Sequence, residues 1–246
     1  MPLQIVRGPL RTFRYAMYFD GIDDYVEVPH SPSLYLTSFS VVMWANAPCC
    51  LNNSYNRFIE KGGYQAPDGG FDIEVASEMS NTEANFLVWQ SGNAYGLRPL
   101  NYSFIGSLFH HIVFMYDNLY IWVYIDNVLR GSTSVSAYTP STEPIIIGRA
   151  CMANCCYLNG YIAQVLIYSR ALSASEIQQD YLDPNNPVTD GLVLWLKADP
   201  AYISGNTWYD LSGNNNNGTI YGAMLVQLTP SHARLLQAKR ILSPVR

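Results

Sequence analysis

The strongest constraint in this chain is alternation. Apolar and polar residues repeat with a period of two over short runs, and turn residues break the runs every 8–12 positions. Phe39–Trp44 (FSVVMW) reads as a strand. So do Phe71–Val75, Asn85–Trp89, His111–Tyr116, Leu119–Ile125, Pro144–Gly148 and Gly160–Tyr168. Asp117-Asn118 forms a two-residue hairpin turn, and Asp126-Asn127 forms another that returns through Val128-Leu129-Arg130. Many short strands at this spacing predict an all-β antiparallel sandwich. The composition agrees: 13% of residues are charged, 49% are apolar and 19 are Tyr, so a sheet-rich core is easily built.

One helix is expected. Ser173-Ala-Ser-Glu176 is a capping box, with Ile177 and Tyr181 on one face and a stop at Asp183-Pro184. Residues 183–189 read as a linker. A second helix is expected from Ser231 to Leu242, within a basic tail over 229–246. No apolar run reaches the roughly 20 residues of a membrane span. The start lacks an apolar stretch of signal-peptide length, so export either involves a removed leader or needs none, as for a virion protein.

Charge is uneven. The net charge is -5, yet residues 1–15 and 231–246 hold seven cationic side chains and no acid. The N-terminal arm (1–15) and the tail are read as solvated or packed on the acidic body, ahead of nucleic-acid binding.

Five segments in order resemble laminin G-like, concanavalin A-like lectin/glucanase domains. They are Tyr18–Pro29 (YFDGIDDYVEVP), Phe39–Trp44, the His110-His111 pair, Leu119–Asp126 and Gly160–Ile177. The resemblance spans roughly residues 16–182 and implies a jelly-roll β-sandwich, with Trp44 and Phe114 pointing into its interior. Phe109 stands where the family has Trp. Residues 190–228, with Asp190–Lys197, Trp208–Asn214 and Gly218–Ile220, resemble the segment that normally precedes the Phe-Asp-Gly motif. The favoured expectation is that this segment completes its own sandwich. The alternatives are pairing with a neighbouring subunit, the start of a second module, or a separate hairpin, which alone is marginal in water.

Four chemistries are candidates. Asp20, Asp23 and Asp24 offer hard oxygen ligands in one loop, which suits calcium. The family's acidic partner on the last strand is replaced by Ala163 and Gln164. Trp89, Gln90, Asn93 and Tyr95, with Tyr64 and Asp68 from a nearby loop, offer rings, amides and a carboxylate for a glycan. The rival is that Trp89 is core. Asp72 and Glu74 alternate like the carboxylates of glycosidases of this fold, followed by Glu78, but Gly70 stands where a third acid is needed. His110 and His111 have no identifiable nucleophile partner; one is read as satisfied core and one as exposed.

Cys49, Cys50, Cys151, Cys155 and Cys156 are disulfide candidates in two clusters. The Cys-x3-Cys-Cys spacing matches no standard zinc pattern. Asn52, Asn101 and Asn217 head glycosylation sequons.

The expected protein is therefore a non-catalytic surface module that recognises a glycan or surface receptor. The alternative is a coat, filament or virion component that contacts its own subunits or other coat proteins through its terminal segments. A glycoside hydrolase is the third reading. The expected location is extracellular, at a cell surface or on a virion.

Overall fold

The computed structural model describes residues 13–47, 56–63, 66, 69–76, 83–100, 109–135, 138–151 and 155–228. Two antiparallel sheets stack face to face. In the first, β1 (Tyr15–Asp20), β3 (Phe39–Asn46), β8 (His110–Tyr116), β9 (Tyr120–Ile125), β10 (Val128–Ser134) and β12 (Asn159–Tyr168) run in the order β10-β9-β8-β3-β12-β1. In the second, β2 (Tyr25–Val28), β4 (Asn56–Gly62), β5 (Gly69–Ala76), β6 (Glu83–Gln90), β7 (Asn93–Leu100) and β11 (Ile145–Ile147) run β2-β11-β4-β5-β6-β7. The alternation read from sequence is what puts one face of each strand into the shared interior.

Aromatic rings bridge the sheets. Phe39 packs against Phe71 at 4.6 Å and Phe114 against Phe86 at 5.7 Å, each pair joining one sheet to the other. Such pairs contribute about 0.5–1.5 kcal/mol each beyond the area they bury.

Residues 192–227 supply strands to both sheets. β13 (Leu192–Lys197) pairs with β12, and β17 (Met224–Gln227) pairs with β1. β14 (Ile203–Ser204), β15 (Thr207–Trp208) and β16 (Gly218–Tyr221) extend the second sheet from β2. Trp208 is fully buried and donates its indole N–H to the Lys197 carbonyl. Asp210 closes the following turn: it accepts from the amides of Trp195, Ser212 and Asn216.

The outer face of the first sheet is covered by α1 (Ala174–Leu182), whose capping box forms as expected, with Ser173 N donating to Glu176 at 2.8 Å. This covering corrects the placement of Trp44. The residue is 6% exposed, but it points away from the inter-sheet core. It packs under α1 with Ala16 and Ala163, stacked on Tyr181 at 5.8 Å. Phe114 does lie between the sheets. The first hairpin turn also differs: Leu119 belongs to the loop, and Asp117 accepts from the amides of both Leu119 and Tyr120. Asp126-Asn127 is the expected two-residue turn, both residues having positive φ.

The helix expected over 231–242, the tail 229–246 and residues 1–12 of the basic arm lie outside the described residues. No helix among the described residues is long and apolar enough to cross a membrane.

Candidate functional site

The carboxylates on β5 are closed to substrate. Asp72 is fully buried and Glu74 is 4% exposed. Arg57, on the neighbouring strand β4, forks between them, with Nη1 at 2.6 Å from Asp72 and Nη2 at 2.9 Å from Glu74. It also reaches Glu60 at 3.2 Å. The three carboxylates hold the guanidinium charged well above its usual range against the cost of burial. Burial pushes the Glu60 carboxyl up; the Arg57 charge opposes this, and the Asp72 and Glu74 charges add to it. A Cβ at Gly70 would collide with the carbonyl of Lys61, so a third side chain on this row of β5 has no room. Glu78 lies outside the described residues.

The structure divides the glycan candidates. Trp89 is 7% exposed and donates its indole N–H to Asp72 at 2.7 Å. Its register partner is Ala94, whereas Tyr95 pairs with Val88 and Asn93 with Gln90. Successive residues on a strand face opposite ways. Trp89 therefore points to the outer face, and Gln90, Asn93 and Tyr95 point to the other. The four do not form one platform around the turn. Tyr64 and Asp68 lie outside the described residues.

The acidic loop, in contrast, brings its three carboxylates together. Carboxylate oxygens of Asp20, Asp23 and Asp24 lie within 4.8 Å of one another. Asp20 accepts from the Ile22 amide, and its own amide donates to Asp24 at 2.9 Å. Asp24 is 5% exposed. Burial raises its pKa, opposed by the Asp20 amide, and the Asp20 and Asp23 charges raise it further. A cluster of hard oxygens whose charges resist one another fits a calcium ion. The backbone of Gly222 lies against the loop: a Cβ there would collide with the Asp24 carboxyl. Gln164 plays no part, because its amide donates to the Pro184 carbonyl under the helix-covered face. The residue of β12 registered against Asp20 is Asn159.

Beside this loop opens a groove of about 800 Å³ where β16 leaves the second sheet and β17 joins the first. Its lining includes the polar residues Asp23, Asn206 and Tyr221 and the apolar residues Met17, Ile203 and Ile220. Asp23 and Asn206 are exposed, and Tyr221 is 42% exposed. Tyr221 is held by a ladder that runs from β16 to β2 and on to the bend after β11. It stacks on Tyr25 at 4.4 Å and 11°, and the Arg149 guanidinium lies 4.1 Å over the Tyr25 ring. Sequence reading missed Asn206 and Tyr221. Their only local signals were the turn at Ser204-Gly-Asn206 and the small residues Gly222-Ala223.

Of the paired histidines, His110 bonds Asp126 at 2.9 Å. His111 is fully buried against Trp44 and Tyr181, and neither ring nitrogen has a hydrogen-bond partner. It is core, as read, but not satisfied. Cys151, Cys155 and Cys156 are free thiols, and Cys49 and Cys50 lie outside the described residues.

No curated protein matches the sequence. Among solved structures, a protein from Bacteroides ovatus described as carbohydrate binding superposes with a TM-score of 0.66 at 18% identity. The alignment covers 89% of this chain and 61% of that one, so the chain spans about three-fifths of its length. The CBM40 domain of a Ruminococcus gnavus IT-sialidase, solved with α2,3-sialyllactose, superposes with a TM-score of 0.50 at 13% identity. There the alignment covers 67% of this chain and 96% of the domain. The family model of the Concanavalin A-like lectin/glucanases superfamily matches residues 20–178. With that match, the motif order and the two stacked sheets, the chain belongs to the concanavalin A-like lectin/glucanase superfamily.

Proposed function

We propose that this chain is a non-catalytic carbohydrate-recognition module and that the groove beside the acidic loop is its binding site. The groove carries the reading. It brings the polar residues Asp23, Asn206 and Tyr221 beside the apolar residues Met17, Ile203 and Ile220, the mixture that a sugar ring needs for its polar edge and its apolar face. A calcium ion held by Asp20, Asp23 and Asp24 would order the loop and offer coordination to sugar hydroxyls. The fate of Asp72 and Glu74 supports the absence of hydrolysis: both are buried and engaged by Arg57, so neither can flank a glycosidic bond. Both solved relatives have carbohydrate in their descriptions. Their likeness is one of fold.

The ligand class sets the expected setting: attachment to glycans displayed outside cells, at an extracellular, cell or virion surface. The lining of the groove includes an acid and no base, which favours neutral or amino sugars over sialylated ones.

A glycan array with neutral, amino and sialylated arms, read with calcium and with chelator, tests the proposal. Binding that is lost in Tyr221→Ala and Asn206→Ala supports the groove. Binding retained in both moves the site elsewhere. Absence of binding on every arm sinks the reading.

A further inference from the structure

We propose that Cys155 and Cys156 form a vicinal disulfide that fixes the backbone beside the Arg57 carboxylate cluster. The observation is geometric. The two Sγ atoms lie 2.6 Å apart, inside ordinary non-bonded contact, and Cys156 holds a left-handed backbone at φ +64°. A residue with a Cβ occupies that region only when its surroundings hold it there.

The two described limbs of the loop that bears them grip the second sheet around that cluster. Leu158 N donates to the Gly148 carbonyl at 2.8 Å, and Ala150 N to the Cys155 carbonyl at 3.2 Å. Cys151 N donates to Glu60 Oε2 at 2.9 Å. The Cys156 carbonyl accepts from Arg57 N at 3.0 Å, at the start of β4. The dithiol therefore sits beside the backbone carbonyl that holds Arg57, and Arg57 holds Asp72, Glu74 and Glu60. Closing the sulfur ring fixes that carbonyl in place.

Cys151 does not compete. Its sulfur points at the Pro144 carbonyl at 3.8 Å, and burial, then the Glu60 charge, pushes its thiol up to about 11. Attack requires the thiolate. Cys155 is the exposed thiol of the three, so it meets the oxidant first.

With glutathione disulfide as oxidant, the Cys155 thiolate attacks one sulfur and expels one glutathione thiolate. The Cys156 sulfur then releases its proton to solvent, attacks the Cys155 sulfur and expels the second glutathione. Two S–H bonds are lost, one S–S bond forms, and the oxidant leaves as two thiols. Burial first, then the hydrogen bond and charge of Cys155, raise the pKa of the Cys156 thiol. The mixed disulfide at Cys155 removes those last two causes, which favours closure once the first step has occurred.

The test is mass spectrometry of the full chain after incubation with glutathione disulfide, denaturation and alkylation. Cleavage after Arg149 and Arg170 releases one peptide with Cys151, Cys155 and Cys156. The expected peptide carries one alkyl group, is otherwise lighter than the fully thiol form by two hydrogens, and takes up two more alkyl groups after reduction. Cys151→Ser must keep the loss of two hydrogens, and Cys155→Ser and Cys156→Ser must abolish it. A cross-link to the peptide of Cys49 and Cys50, full alkylation after oxidation, or loss of the bond in Cys151→Ser overturns the pairing. Hydrogen exchange at the Arg57 amide tests the fixing of the backbone. Slower exchange in the oxidised protein supports it, and equal exchange overturns it.

Discussion

The indole nitrogen of Trp89 donates to Oδ2 of Asp72 at 2.7 Å, and Arg57 binds the same oxygen at 2.6 Å. One carboxylate oxygen thus ties together three strands, β4, β5 and β6. Asn85 extends the network, donating to Glu74 at 2.9 Å. The outer face of the second sheet is a buried polar core here, built from the residue types that a sugar-binding or hydrolytic face would use. Such a network stabilises when satisfied and is costly when broken.

Trp89→Phe keeps the ring and removes the donor. It leaves Asp72 short of one bond, at a cost of about 1–3 kcal/mol. Urea denaturation should show this as a lower midpoint with unchanged slope. Glycan affinity, by titration calorimetry, should be unchanged. A folded Trp89→Phe protein that no longer binds glycan would show that the site is on this face and not in the groove.

Arg57→Met should be more severe, because it strands Asp72, Glu74 and Glu60 as three buried carboxyls. Removing one partner of a buried ion pair costs about 3–5 kcal/mol. Arg57→Lys should recover little, since a point charge cannot fork to Asp72 and Glu74 at once. Thermal unfolding of the two variants beside the parent measures both. A Lys variant as stable as the parent would show that charge, and not the fork, is what the cluster needs.

The sequence made the strands legible and the site mostly illegible, for one physical reason. Pairing within a strand is local, so alternation reveals it. Trp44 was misplaced because β3 is buried on both faces, with all eight residues covered, so alternation says nothing about which face meets the other sheet. Trp89 resembled a platform because a turn follows it, while its partner Asp72 lies 17 residues away on the next strand. The groove joins Asp23, Asn206 and Tyr221, which only the topology of residues 192–227 brings together. The acidic cluster was readable because its three carboxylates fall within five residues of sequence.

That loop yields a direct test. Calcium that binds the folded state alone stabilises it by about 2.7 kcal/mol at a hundredfold excess over Kd. Thermal midpoints should rise with calcium and fall back with chelator. Asp24→Asn should blunt the rise while raising the metal-free midpoint, since it removes a buried carboxylate that two neighbouring charges oppose. A midpoint indifferent to calcium in the parent would remove the ion from the mechanism.

Two buried groups on the helix-covered face titrate with opposite effect. Burial lowers the pKa of His111 to about 3, so the unfolded chain takes up its proton first as pH falls below 6.5. Stability from this group is full above 6.5 and falls on acidification, by on the order of 2 kcal/mol at pH 5. The nearby Asp126 carboxylate, which accepts from the His111 amide, opposes this shift in part. Asp180 accepts from Tyr168 and from the Val188 amide, yet burial raises its pKa to about 6. Its folded state therefore holds a proton that the unfolded chain has released. Stability from Asp180 is full below its unfolded value near 3.8 and is lost as pH rises through about 6. The two slopes offset each other between pH 4 and 6 in the parent. Relative to the parent, His111→Phe should make stability fall more steeply with rising pH in that window, and Asp180→Asn should tilt the profile the other way. Urea midpoints for the three proteins across pH 4–7 check this, and parallel profiles would show that neither group is buried in the protonation state assigned.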